Sequence, residues 1–74
     1  MPLPFAPIGK KLTIVKVRGE DRSTKHLASL GLVKGESIFL LQEEHGAVVI
    51  NVKESRLGLD RNVSMGIEVE VQHE

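Results

Sequence analysis

The feature that most constrains this chain is the spacing of its apolar residues. Val48, Ile50 and Val52 alternate with Val49, Asn51 and Lys53, and Ile67, Val69 and Val71 alternate with Glu68, Glu70 and Gln72. A period of two puts each apolar set on one face of a strand. Lys11 to Arg18 is rich in Leu, Thr, Ile and Val and ends at Gly19, so it too is a strand, but Leu12 and Ile14 lie on one face and Val15 and Val17 on the other. An extra residue near Val15-Lys16 would reset that phase as a β-bulge. Ser37 to Gln42 has strand composition without clean alternation and is expected to be buried on much of both faces. Glu43-Glu44-His45-Gly46 forms a hairpin connection, Ser55 to Leu59 adds a short strand, and Asp60 to Met65 is a turn or single helical turn. Five strands separated by turn residues within 74 residues are too few for a sandwich and predict a small β-barrel.

One segment departs from this pattern. Asp21 is placed to cap a short helix in which Leu27 and Leu30 are three apart. Gly31 then falls where a left-handed residue ends a helix, and Leu32 is placed to touch Leu27 as in a Schellman motif. Lys34-Gly35 makes a second turn.

Length bounds the rest. Seventy-four residues support one core, so residues 1–74 are expected to form one domain, with residues 1–8 as an extended leader. The chain has no cysteine, so packing must hold the fold, and the composition fits a reducing, cytoplasmic compartment. The longest apolar runs, Ile38 to Leu41 and Ala47 to Ile50, fall far short of the ~20 residues that span a bilayer. Met1 to Pro7 has neither a basic start nor an unbroken apolar stretch, unlike a signal peptide.

Charge excludes one class of partner. Ten basic and ten acidic residues give a net charge of zero, which removes the long-range field of a nucleic-acid binder. Residues 1–37 carry seven basic and three acidic side chains and residues 38–74 three and seven. Cross-strand pairing of the two halves would explain this, with Lys16 and Arg18 facing Glu68 and Glu70. Phe5 and Phe39 are the only aromatics, too few to stack bases or to line a proline-peptide groove. Any groove on this protein is therefore aliphatic and suits an apolar protein partner.

Catalytic and metal constellations are missing from the sequence. His26, His45 and His73 are 19 and 28 residues apart, without ligand spacing. Glu43, Glu44 and His45 could hold a divalent ion weakly, in a turn that offers no fixed geometry. There is no nucleophile elbow and no phosphate-cradling glycine loop. Neither an enzyme activity nor a cofactor is expected.

Leu27-x-x-Leu30-Gly31-Leu32-Val33-Lys34-Gly35-x-x-Ile38 resembles the signature of FeoA-family domains, which read Leu-x-x-Leu-Gly-Leu or Met, any residue, Pro, Gly. The resemblance extends to Gly9, Ile14 to Gly19, Val48-x-Ile50-x-Val52 and Ile67-x-Val69. Lys34 replaces the proline found in many members, which loosens the turn but keeps its glycine. The resemblance implies an SH3-like five-stranded barrel with one short helix. It also implies a regulatory role beside FeoB, a membrane ferrous-iron transporter with a cytosolic G domain. Similar domains end iron-dependent repressors, but 74 residues leave no room for a helix-turn-helix, so the free-standing form is expected. The expected partner surface is Lys25, Leu27, Leu30, Leu32, Val33 and Lys34, within which Leu27 and Leu32 also suit the core. The competing account is a small Fe(II) carrier or metal-sensing domain using His45, Glu43 and Glu44.

Overall fold

A computed structural model of the chain describes residues 1–72, apart from the side chain of Asp21. Among the described residues there are five strands: β1 (Lys11–Val17), β2 (Ser37–Glu44), β3 (Ala47–Val52), β4 (Ser55–Leu59) and β5 (Ile67–Val71). They form one antiparallel sheet in the order β4-β3-β2-β1-β5. Helix α1 (Asp21–Ser29) connects β1 to β2, and the five-residue helix α2 (Arg61–Met65) connects β4 to β5. The fold is SH3-like, but β4 and β5 remain as edges and the sheet does not close into a complete barrel.

The alternation read from the sequence sets the core. Val48, Ile50 and Val52 from β3 and Ile67 and Val69 from β5 are buried, together with Leu12 and Ile14 from β1 and Ile38 and Leu40 from β2. The phase break in β1 is a register shift between Ile14 and Lys16 against β5, so Val17 returns to the core side opposite Ile67. A second shift, between Leu40 and Gln42, bends β2 against β3. β2 is not buried on both faces as its composition suggests. Phe39 is 36% exposed, because the outer face of this sheet carries no covering layer and apolar residues there stay in water.

The N-terminal segment also departs from expectation. It is not an extended leader: Leu3–Phe5 form a 3-10 turn, and Leu3 is fully buried. Pro2 bridges Glu68 beside β5, so this segment closes one end of the core. In the two-residue turn between β2 and β3, His45 and Gly46 both have positive φ, 52° and 91°, the arrangement that matches strand twist in tight hairpins. The turn is tied to α2, because the buried Ser64 hydroxyl donates to the Gly46 carbonyl. Asp60 caps α2 by accepting from the Val63 N–H at 2.9 Å. Ser64→Ala is expected to cost about 1–3 kcal/mol, since it leaves a carbonyl without its donor. Urea unfolding of the two proteins measures this directly.

The charge asymmetry resolves in part as expected. Lys16 lies opposite Glu68 across β1 and β5, and the Arg18 guanidinium sits 3.5 Å from the Glu68 carboxylate. Glu70 does not join them; it lies opposite Thr13, because the two strands run antiparallel and each step from Glu68 toward Glu70 is a step away from Arg18.

Candidate functional site

The α1 segment and the loop after it form the least regular part of the surface. Glu20, not Asp21, occupies the cap position, without a side-chain hydrogen bond; the Asp21 side chain lies outside the described residues. The C-terminus of α1 is a Schellman motif. Gly31 N–H donates to Ala28 O at 3.0 Å, Leu32 N–H donates to Leu27 O at 2.9 Å, and Gly31 has φ 94°. That closure turns Leu27 and Leu32 inward, where both are buried. The loop is then fixed to β1, as Gly35 N–H donates to Ile14 O at 2.7 Å and Ile14 N–H donates to Glu36 O at 2.9 Å.

Between β1, α1 and this loop runs a shallow groove of about 370 Å³. Val17, Ala28, Leu32 and Val33 supply its apolar lining, Thr24 contributes to one wall, and Lys25 and Lys34 carry its charge. Val33 is 41% exposed. Among the described residues neither lysine has a carboxylate within ion-pair distance. The groove can accept aliphatic side chains and hold a carboxylate near either ammonium group.

Of the six residues singled out in the sequence, Lys25, Leu32, Val33 and Lys34 line this groove. Leu27 lies in the core beneath it, and Leu30, although 37% exposed, is outside the lining. Sequence reasoning missed Val17, Thr24 and Ala28. Thr24 and Ala28 are four apart and share a helix face, which was a usable signal. Val17 was hidden by the bulge.

The histidines do not assemble. His26 is exposed on α1 and His45 is exposed in the hairpin turn, while Glu43 accepts a hydrogen bond from Gly46 N–H at 2.8 Å; His73 lies outside the described residues. Among the described residues, no three His, Cys, Asp or Glu side chains gather in a way that could hold a metal ion. No described helix is long and apolar enough to cross a membrane.

The FeoA domain family matches residues 1–71. The chain belongs to the FeoA family. Members are ferrous-iron transport accessory proteins. A protein described as "Putative Fe(2+) transport protein A", from Methanocaldococcus jannaschii, is 29% identical over 69 residues, covering 93% of this chain and 84% of that protein. The crystal structure of an iron uptake regulatory protein (FeoA) superimposes with a TM-score of 0.83 at 24% identity, covering 93% of both chains. The same fold occurs in ScaR, whose crystal structure contains bound Zn2+. There the TM-score is 0.85 at 19% identity, covering 97% of this chain but 37% of ScaR. At these identities the two structures show the fold alone.

Proposed function

We propose that this FeoA-family protein is a non-enzymatic, cytoplasmic regulatory module of ferrous-iron uptake that docks on the cytosolic region of a FeoB-type transporter through the α1–β2 groove. The observation that carries this is the groove itself, aliphatic in its lining and flanked by Lys25 and Lys34. Such a surface suits a partner segment that offers aliphatic side chains beside carboxylates. It offers no aromatic platform for bases or proline-rich peptides. A transient contact of this size buries under ~1,200 Å² and binds in the micromolar class.

An NMR titration with the transporter's cytosolic G domain tests the proposal. The amides of Val17, Ala28, Val33 and Lys34 are expected to shift most. Lys25→Glu combined with Lys34→Glu is expected to weaken binding by about tenfold or more, because both changes oppose an acidic partner. Shifts confined to other surfaces would overturn the site, and no shifts with any cytosolic piece of the transporter would overturn the function.

A further inference from the structure

The two edges of the sheet differ. Along β5, Met1 N–H donates to Val69 O at 3.0 Å, Met1 O accepts from Val69 N–H at 2.8 Å, and Pro2 bridges Glu68. Along β4, among the described residues, no backbone hydrogen bond comes from outside the sheet. The two-residue connection Lys53-Glu54 closes on the Val52–Ser55 pair, and such pairs are hydrogen-bonded. Ser55, Leu57 and Leu59 therefore direct their backbone groups toward β3, and Arg56 and Gly58 direct theirs outward. Arg56 and Gly58 are exposed, and nothing lies within 4 Å of where a Gly58 Cβ would stand. An open edge is a template for another strand, and a charge on it is the usual deterrent. Arg56 is such a charge. A carboxylate set opposite it would offset that deterrent.

We propose that β4 pairs antiparallel with β4 of a second copy of this chain, in the register that sets Gly58 opposite its symmetry mate. Residues 56 and 60 flank 58 equally, so Arg56 falls opposite Asp60 of the partner subunit, and the relation repeats across the two-fold axis. Asp60 is extended, with φ −75° and ψ 171°, but caps α2, and its carbonyl accepts from Ser64 N–H at 2.9 Å, so it offers the partner its carboxylate and its N–H. Its Oδ1 accepts from Val63 N–H, and Oδ2 remains for the guanidinium. A register centred on Leu57 would set Arg56 opposite glycine and gain no ion pair. Glycine at the centre also removes the two side chains that would meet there.

The contact is small, below ~1,200 Å², so the dissociation constant should be on the order of 100 µM. Sedimentation of the full chain over a concentration series into the millimolar range tests for the dimer. Arg56→Glu, which sets two carboxylates together twice, should weaken association about tenfold while leaving thermal unfolding unchanged. The register has its own test, because the chain has no cysteine. Gly58→Cys places the two introduced thiols on directly opposed residues, ~5.5 Å apart at Cα, whereas Ser55→Cys, at an exposed position that keeps Arg56, places them about 20 Å apart along the strands. A short bismaleimide should cross-link the first far faster than the second. A chain that stays monomeric at millimolar concentration overturns the dimer, and equal cross-linking at both positions overturns the register.

Discussion

Leu3→Ala is expected to destabilise this protein by about 2–5 kcal/mol, the usual cost of emptying a fully buried leucine site. Leu3 is 0% exposed although it lies in a proline-bearing N-terminal segment. Its neighbours cannot readily fill the space, because Pro2 is held beside β5 and Ala6 N–H donates back to Leu3 O at 3.0 Å. For a domain of this size ~1 kcal/mol corresponds to about 4–8 °C in Tm, so the loss should exceed about 8 °C by differential scanning calorimetry. Phe5→Ala is the control. Phe5 is 68% exposed, and its truncation should change stability by less than about 0.5 kcal/mol. Equal, small effects of the two substitutions would show that the 3-10 turn is not part of the cooperative unit.

Gly31→Val is expected to cost about 2 kcal/mol, with Gly31→Asn costing clearly less. The position has φ 94°, a conformation in which a β-branched residue is strained and which asparagine tolerates better. At the Cβ itself space is not the cause. A Cβ at Gly31 would meet Val52 Cγ2 at 3.5 Å, an ordinary contact. The strain has a second consequence, because the same closure orients Val33 and Lys34 along the groove. The valine variant should therefore bind the transporter's cytosolic region more weakly even at temperatures where it remains folded. Denaturant midpoints and the NMR titration, run on both variants, separate the two effects. Equal stabilities for valine and asparagine would mean that the backbone relaxes out of the left-handed region at no cost.

The local features legible in the sequence are those governed by short-range sterics. The Leu27-to-Leu32 closure could be read because a helix that meets glycine has few ways to stop, and the structure contains both of its hydrogen bonds. The β1 bulge could be read because two residues in the wrong phase need a physical reason, and the register shift lies at the same place. The alternation of β3 and β5 named their buried faces for the same reason.

What the sequence left undecided depends on which faces the tertiary structure covers. The run Ile38 to Leu41 has apolar residues on both sides, and only the absence of a second layer over the sheet exposes Phe39. Residues 1–8 carry no periodicity, so Leu3 could be recognised as core only once β5 and α2 stood beside it. The groove follows the same logic. Lys25, Leu32, Val33 and Lys34 could be named from the helix and turn, but Val17 joins them from the end of β1, where the bulge resets which way the side chains face. By itself the sequence determined the five strands and α1, the buried face of the alternating strands and the helix stop, because each follows from the sterics of a few neighbouring residues. The tertiary structure alone decided which apolar residues stay in water and which edge stays open, because burial is a relation between elements that local pattern does not encode.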